Sequence, residues 1–330
     1  MNKTFIYGIG NALVDSEYKI TDEELLKLNL KKGCMELNDM DNHSKLSNEL
    51  REKYGVVKMM PGGSVANSLY ALAQFGQNVT FTGRVSKDNI GATFEESLKF
   101  VGVQSAIKQV DNGITGECIV LITPDRERTM YTYLGVSSDL SIEDISKEAI
   151  MKSEYLLIEG YLVTSDETNN VAKYCLDIAN ENNIKKIITL SDPNVVNFFK
   201  KNMMELINKK FDIIFCNKQE AYNISASDNI DAAVKFLNKY SNEIIITSGS
   251  DGAYVYHDNT LTHASCDQVT PVDLTGAGDM FLAAYLLSKA NSKSISESIK
   301  FANKCSGKII QNYGAKFDNE NEYKVLYSGL

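Results

Sequence analysis

Short apolar runs rich in strand-forming residues alternate with segments of helical periodicity along most of the chain. The runs are about four to six residues long and show little polar alternation, which is typical of strands buried on both faces. Strands of this kind separated by helices predict a doubly wound α/β fold, with a mostly parallel sheet and helices on both faces. We predict strands over Phe5–Ile9, Val79–Thr82, Tyr155–Ile158, Ile187–Leu190, Phe211–Cys216 and Ile244–Thr247.

Helical periodicity accounts for several of the segments that separate these strands. Apolar residues recur on one face over Ser64–Phe75, Asn169–Asn180 and Ser296–Tyr313. Gly314 follows the last of these segments and suits a helix C-cap. A further apolar helix is predicted over Met280–Ala290.

One region departs from the alternation of strand and helix. The strand-like runs Glu117–Thr123 and Arg128–Leu134 are joined by Pro124–Glu127, which predicts a β-hairpin. Together with Ser16–Leu37, the hairpin is expected to form a small sheet that projects from the core. We therefore predict one domain over residues 1–330, carrying a lid formed by residues 16–37 and 114–135.

Charge and composition exclude several classes of protein. The 34 Lys and Arg against 43 Asp and Glu give a net charge of −9, so no nucleic-acid partner is expected. Apolar runs fall short of the roughly 20 residues that span a bilayer, and no signal peptide opens the chain. We expect a cytoplasmic protein without a membrane partner. The six Cys and three His lack metal-ligand spacing, which predicts reduced thiols and no zinc site.

A glycine-rich turn that opens a helix carries the clearest chemical signal. The segment Asp273–Asp279 runs directly into the predicted apolar helix, so the backbone N–H groups of Gly276, Ala277 and Gly278 predict an anion site. A carboxylate beside a bound phosphate repels it, unless the carboxylate accepts a proton from an attacking hydroxyl. Asp279 alone would be explained by the helix dipole, but the surrounding glycines and Asp273 favour a catalytic base.

Other polar residues follow the ends of predicted strands, where open parallel sheets bind ligands. They are Asn11 and Asp15, Asn217 and Glu220, and Ser248 and Gly249. A second glycine turn, Gly62-Gly63, precedes a helix that contains Asn67, and it either admits a substrate closely or is an ordinary helix start. No P-loop motif is present, and Leu13 replaces the third glycine of a Rossmann fingerprint, so both nucleotide-binding classes are disfavoured.

These motifs resemble the ribokinase-like (phosphofructokinase-B) family of small-molecule kinases, and most closely its adenosine-kinase branch. The similarity covers nearly the whole chain. It rests on four ordered motifs: Gly10, Asn11 and Asp15; Gly62, Gly63, Asn67, Gly76, Gly83, Asp88 and Gly91; Asn217 and Glu220; and Thr275–Asp279.

The resemblance implies transfer of the ATP γ-phosphoryl group to a hydroxyl, with Asp279 as base and Gly276–Gly278 as the anion hole. It implies that the acceptor's sugar is held by Asn11, Asp15, Gly62, Gly63 and Asn67. ATP would be bound by Asn217, Ser248, Gly249, Gly252, Thr275 and Asn303. Mg²⁺ would be held by Asn217 and Glu220, largely through water.

The branch resemblance favours the 5′-hydroxyl of a purine nucleoside, adenosine above others, as the acceptor. Tyr161 falls where adenosine kinases stack an aromatic ring on the base, and Met35 or Tyr133 is implied to complete an apolar slot. Tyr161 is equally explained as a half-buried core residue. Two alternatives remain: a sugar kinase of the same family, and a catalytically silent nucleoside- or nucleotide-binding protein, against which the retained Asp279 argues.

The sequence departs from the family pattern at two positions. Leu274 stands where many members carry Thr, near the loop that holds a monovalent cation in some members, so a requirement for K⁺ is left open. Ser86 stands where glycine usually follows the strand. The expected assembly is a monomer or a homodimer.

Overall fold

A computed structural model describes residues 3–33, 35–125 and 127–330. Its strands are β1 (Thr4–Ile9), β2 (Leu13–Lys19), β3 (Met35–Leu37), β4 (Lys58–Pro61), β5 (Val79–Thr82), β6 (Arg84–Ser86), β7 (Gln104–Ser105), β8 (Lys108–Val110), β9 (Thr115–Ile122), β10 (Arg128–Gly135), β11 (Ser153–Glu159), β12 (Lys185–Thr189), β13 (Phe211–Asn217), β14 (Ser241–Thr247), β15 (Ala253–His257) and β16 (Thr260–Ala264).

The α-helices are α1 (Asp22–Lys27), α2 (Met40–Tyr54), α3 (Ser64–Gln74), α4 (Asn89–Phe100), α5 (Lys147–Met151), α6 (Asp166–Glu181), α7 (Pro193–Phe198), α8 (Lys200–Ile207), α9 (Lys218–Ser225), α10 (Ile230–Leu237), α11 (Ala277–Ala290), α12 (Ile295–Ile309) and α13 (Asn321–Tyr327). Short 3₁₀ turns cover Val136–Asp139, Ile142–Asp144, Gly160–Thr164 and Gly249–Asp251.

The larger sheet has the order β16-β15-β14-β13-β12-β11-β1-β5-β7. Its strands are parallel except at one edge, where β15 and β16 pair antiparallel. All six strands predicted from apolar runs lie in this sheet. Alternate side chains enter cores on opposite faces, as Ile6 and Tyr7 of β1 illustrate. Helices α3, α11 and α12 cover one face and α6, α8, α9 and α10 the other, which confirms the doubly wound fold.

A second, five-stranded sheet has the order β3-β10-β9-β2-β4 and includes the predicted antiparallel hairpin β9–β10. Arg126, in the hairpin turn, lies outside the described residues. One face of this small sheet packs on α2, with Tyr18, Leu50 and Ile119 in the shared core. Strand β4 and helix α2 were not predicted, because β4 is a short half-buried edge strand and α2 is largely polar.

The end of α12 differs from the prediction. The helix ends at Ile309 with Ile310 as its C-cap, so the expectation that it runs to Tyr313 and is capped by Gly314 was wrong. Gly314 has a positive φ of 77°, and its N–H donates to Asp273 Oδ2 at 2.7 Å. A Cβ at Gly314 would lie 1.7 Å from Met60 Cε. Met60 can move its terminal methyl group, so the positive φ is the feature that favours glycine at this position beyond the helix.

None of the helices in the three described ranges is long and apolar enough to cross a membrane. Five cysteines in those ranges are free thiols, four of them buried. Cys34, also expected to be reduced, falls outside the described residues.

Candidate active site

Asp279 lies in the first turn of α11 and faces the start of α3. Its Oδ1 accepts a hydrogen bond from Ser64 Oγ at 2.7 Å, and its Oδ2 accepts one from Asn67 Nδ2 at 2.9 Å. Desolvation raises the pKa of Asp279 to about 6, against the lowering effect of these two donors. The carboxylate is thus fixed in position and has a pKa suited to accepting a proton near neutral pH.

The glycine loop before α11 is shaped by two contacts. Gly276 adopts a left-handed conformation with φ 75°, and a Cβ there would lie 2.4 Å from the Cβ of Ala315. Asp273 Oδ1 accepts hydrogen bonds from the N–H and the hydroxyl of Thr275 at 2.9 and 2.7 Å. The Thr275 side chain therefore stabilises the loop. The Ala277 N–H donates to the carbonyl oxygen of Leu274 at 3.3 Å, and the N–H groups of Ala277 and Gly278 lie at the positive end of α11.

The five residues implied to hold the acceptor's sugar meet around a second glycine turn. A Cβ at Gly62 would lie 3.0 Å from Asp15 Oδ1, and a Cβ at Gly63 would lie 2.5 Å from the carbonyl oxygen of Asn11. Asn67 Oδ1 is buried and has no hydrogen-bond partner among the described residues. Desolvation raises the pKa of Asp15 to about 6. Several acceptors of hydroxyl hydrogen bonds therefore converge beside Asp279.

Glu159 was missed as a site residue, although it is a charged residue at the end of an otherwise apolar strand. It is 1% exposed and accepts backbone hydrogen bonds from Asn11 at 3.3 Å and from Val65 at 3.1 Å. Burial raises its pKa to about 8, opposed by these two N–H donors and reinforced by the charge of Asp279. Glu159 joins the end of β1 to the start of α3 beneath the site.

The residues implied to form an apolar slot do not all share one face. Tyr161 follows β11 and is half-buried; desolvation raises the pKa of its hydroxyl, and the charges of Asp192 and Glu159 add to the effect. Met35 pairs with Met130, on the face of the small sheet that carries Asp15.

Tyr133 lies on the other face of the small sheet, against α2. Its ring is 5.6 Å from that of His43, and it pairs with Glu117, which binds His43. The structure therefore does not bring Tyr133 to the face that carries Asp15. Met130, which the sequence did not single out, lies on that face with Met35.

A cavity of about 390 Å³ lies beside the glycine loop. Asn303 lines it, and Asn303 Nδ2 donates to the carbonyl oxygens of Ala264 at 2.9 Å and Ser265 at 3.3 Å. Of the residues implied to bind ATP, three line the cavity: Gly249, Gly252 and Asn303. The remainder of the lining includes Thr247, Cys266, Gln268, Ala277, Gly278 and Phe281. Ser248 and Thr275 are adjacent in sequence to lining residues, and Asn217 pairs with Thr247.

Asn217 and Glu220 form a capping box at the start of α9. Asn217 Oδ1 accepts from the Glu220 N–H at 2.9 Å, and the Glu220 carboxylate accepts from the Asn217 N–H at 3.0 Å. Burial raises the pKa of Glu220 to about 8, and the charge of Asp192 adds to the rise. The described residues contain no cluster of three His, Cys, Asp or Glu side chains that would bind a metal directly. The carboxyl groups of Glu220 and Asp192 are close enough to interact, and such a pair fits a hydrated Mg²⁺ that is held through water.

Arg128 was also missed as a site residue. It lies on β10 and is 15% exposed; its Nη1 donates to Asp273 Oδ1 at 2.8 Å, and its Nη2 lies 3.6 Å from Glu17 Oε1. The small sheet is thereby joined to the glycine loop. The sequence did not single out this arginine, because its partners Glu17 and Asp273 lie far from it along the chain.

Comparison with known proteins agrees with this geometry. The pfkB family of carbohydrate kinases matches residues 32–322. The chain belongs to this family. Its members, which include adenosine kinases and ribokinases, are phosphotransferases that act on hydroxyl groups and use ATP, so the pfkB-family chain described here is an enzyme of that class.

Among its pfkB-family relatives, adenosine kinase from Dictyostelium discoideum is 28% identical, over 96% of this chain and 97% of the relative. Ribokinase from Lactococcus lactis subsp. lactis is 30% identical, over 78% of this chain and 82% of the relative. The crystal structure of adenosine kinase from Sinorhizobium meliloti superposes with a TM-score of 0.90 at 26% identity, covering 99% of this chain and 98% of that one.

Proposed function

We propose that this enzyme transfers the γ-phosphoryl group of ATP to the 5′-hydroxyl of a purine nucleoside, converting adenosine to AMP. The observation that carries the proposal is the Asp279 carboxylate, held by Ser64 and Asn67 directly after the glycine loop. A proton acceptor beside an anion site is the arrangement that phosphoryl transfer to a hydroxyl requires.

In the proposed reaction, the 5′-hydroxyl gives its proton to Asp279 as its oxygen attacks the γ-phosphorus. The bond from the γ-phosphorus to the bridging oxygen breaks, and ADP leaves. The N–H groups of Ala277 and Gly278 stabilise the charge on the transferred group at the N-terminus of α11. General-base catalysis of this kind contributes about 10²–10⁴-fold.

The proposed acceptor site suits a neutral polyol. Asp15 and the unpartnered Oδ1 of Asn67 accept hydrogen bonds from the sugar hydroxyls, and Gly62 and Gly63 allow the ring to approach the backbone. Asn11 is positioned by Glu159 and completes this wall.

Adenosine is proposed above a simple sugar because of the residues at the base end of the site. Tyr161 offers an aromatic face for a purine, and Met35 and Met130 offer an apolar surface on the facing sheet. Stacking on a base is worth about 1–3 kcal/mol. The 30% identity to a ribokinase supports the second candidate, a sugar kinase acting on ribose or fructose.

Mg²⁺ is proposed as the metal that neutralises the ATP phosphates, held through water by Glu220, which Asn217 orients. A requirement for K⁺ stays open in the proposal, because Leu274 is 68% exposed and offers no hydroxyl at the glycine loop. We further propose a cytoplasmic enzyme that acts as a monomer or homodimer.

The deciding experiment measures ADP release from Mg-ATP with adenosine, ribose and fructose, in K⁺ and in tetramethylammonium buffers. We expect kcat/KM for adenosine to exceed that for either sugar at least about tenfold, a difference of about 1.4 kcal/mol. Tyr161→Ala should lower kcat/KM for adenosine about tenfold or more, while Tyr161→Phe should retain it. Preference for ribose or fructose would identify a sugar kinase, and ligand binding without ADP release would identify a silent binding protein.

A further inference from the structure

Lys316 is a buried lysine that the proposed reaction does not use. It is 7% exposed and follows Ala315, the residue against which Gly276 packs. Its ammonium group donates to the carbonyl oxygen of Pro61 at 2.6 Å and lies 4.6 Å from the centre of the Tyr70 ring. A lysine buried to this extent is rare unless a nearby negative charge compensates for its lost hydration.

The hydrogen bond to Pro61 places the ammonium at the turn that both carboxylates contact. Gly62 is the next residue and lies against Asp15, because a Cβ on Gly62 would be 3.0 Å from Asp15 Oδ1. Ser64, two residues further, donates to Asp279 at 2.7 Å. Lys316 therefore contacts the turn between Asp15, the proposed sugar-binding carboxylate, and Asp279, the proposed base. Its ammonium group bonds to a backbone carbonyl and forms no ion pair with either carboxylate.

We propose that Lys316 is a positioning residue whose single positive charge is shared by Asp15 and Asp279 and keeps both carboxylates ionised at neutral pH. The inference rests on the proposed function, because it assigns Lys316 a role in that same site. It adds a residue that neither the glycine loop nor the sugar-binding turn contains.

The charges around Lys316, Asp15 and Asp279 agree with this role. Desolvation lowers the pKa of Lys316 to about 7, and the two carboxylates oppose the fall. Lys316 in turn opposes the rise of both carboxyl pKa values. The other charged groups that face the site are Glu159, toward Asp279, and Arg128, Glu17 and Asp273, toward Asp15. A buried opposite charge shifts a carboxyl pKa by about one to three units.

A purely structural role is the competing explanation, in which Lys316 only anchors Pro61 and packs on Tyr70. The two explanations differ in what they predict for titration. An anchor affects folding and affinity at every pH, whereas a shared charge moves the pKa values of Asp15 and Asp279.

The test is an NMR titration of ¹³C-carboxyl-labelled aspartates in the ligand-free enzyme, with Asp15→Asn and Asp279→Asn variants to assign the two signals. We expect Lys316→Met to raise both pKa values by about one unit, and Lys316→Arg to leave them at or below the wild-type values. Lys58→Met is the matched control, because Lys58 lies at the other end of β4 and pairs with the exposed Asp318. Unchanged titration of both aspartates in folded Lys316→Met would overturn the proposal.

A titration of Lys316 itself keeps the proposal testable if Lys316→Met fails to fold. One lysine ¹³Cε signal, absent from the Lys316→Arg spectrum, should titrate near pH 7. In folded Asp15→Asn and Asp279→Asn, which each remove one compensating charge, this signal should titrate at a lower pH than in the wild type, and an unchanged Lys316 titration in both variants would overturn the proposal.

These titrations need no substrate, so their outcome does not depend on whether the proposed kinase activity is found. Where activity is present, Lys316→Met should lower kcat/KM about tenfold at pH 6.5 and much less at pH 8.5, and Lys58→Met should match the wild type at both. An equal loss at the two pH values would support the anchor explanation.

Discussion

Arg128 Nη1 donates to Asp273 Oδ1 over 2.8 Å, and this contact links the small sheet to the loop that precedes α11. Burial raises the pKa of Asp273, but the Arg128 guanidinium and the N–H groups of Thr275 and Gly314 together hold it below its usual value. Asp273 is therefore ionised at neutral pH, and the ion pair joins residues that are 145 positions apart in sequence.

We expect Arg128→Gln to loosen the small sheet and to lower kcat/KM at least about tenfold, since a hydrogen bond to a charged group is worth about 1.5–3 kcal/mol. Hydrogen exchange in residues 117–134 should slow in the wild type when adenosine and a nonhydrolysable ATP analogue bind, and it should slow less in the variant.

Lys32→Gln is the control for Arg128→Gln, because Lys32 forms exposed ion pairs with Asp22 and Asp125. Such pairs contribute about 0–1 kcal/mol, so little change is expected. If ligands leave exchange over residues 117–134 unchanged in the wild type, the small sheet does not act as a lid.

Asp279→Asn should reduce kcat about 10²–10⁴-fold and leave ATP affinity equal or tighter, because it removes a proton acceptor and a negative charge beside the phosphates. A coupled assay for kcat and calorimetry for Kd separate the two effects. Asp166→Asn is the matched control, an exposed acidic residue in the first turn of α6. A folded Asp279→Asn enzyme that retains more than about a tenth of wild-type kcat would make Asp279 a helix-dipole residue only.

Activity should decline as the pH falls through about 6. Asp15 and Asp279 both have pKa values raised to about 6, and protonation removes a hydrogen-bond acceptor from the first and the base function from the second. Because both must be ionised, log kcat/KM should fall with a slope steeper than about one per pH unit below pH 6. Adenosine affinity, measured without ATP, should fall less steeply because it depends on Asp15. A pH-independent kcat/KM between 5 and 7 would contradict this assignment.

Glu220→Gln should raise the Mg²⁺ concentration needed for half-maximal rate while leaving the stability of the ligand-free protein nearly unchanged. Glutamine preserves the capping box, and it avoids the cost of ionising a carboxyl whose pKa is raised to about 8. Glu297→Gln changes the equivalent residue of the exposed capping box that begins α12 and should leave the Mg²⁺ titration as in the wild type. Identical titrations for Glu220→Gln and the wild type would move the metal to other residues.

The parallel sheet was predictable because its strands are buried on both faces and therefore appear as continuous apolar runs. The glycine loop was predictable because its chemistry is local: the glycines, the helix start and Asp279 lie within a few residues. Lys316 and Arg128 were not predictable, since their roles come from contacts across 255 and 145 residues. Tyr133 was placed on the wrong face of the small sheet. Successive residues of a strand lie on opposite faces, so the sequence could not show which face Tyr133 shares without the register of β10.

Gly276 packs on Ala315, and this contact has a consequence for biosynthesis. The back of the phosphate loop is built from a segment that is translated after every strand of the large sheet, whereas Asp15 lies on the second strand of the chain. A nascent chain can form much of the large sheet early, but the loop lacks its support until residues 314–316 have emerged. The site therefore acquires its active conformation only after this segment has emerged, later than every other residue of the proposed site.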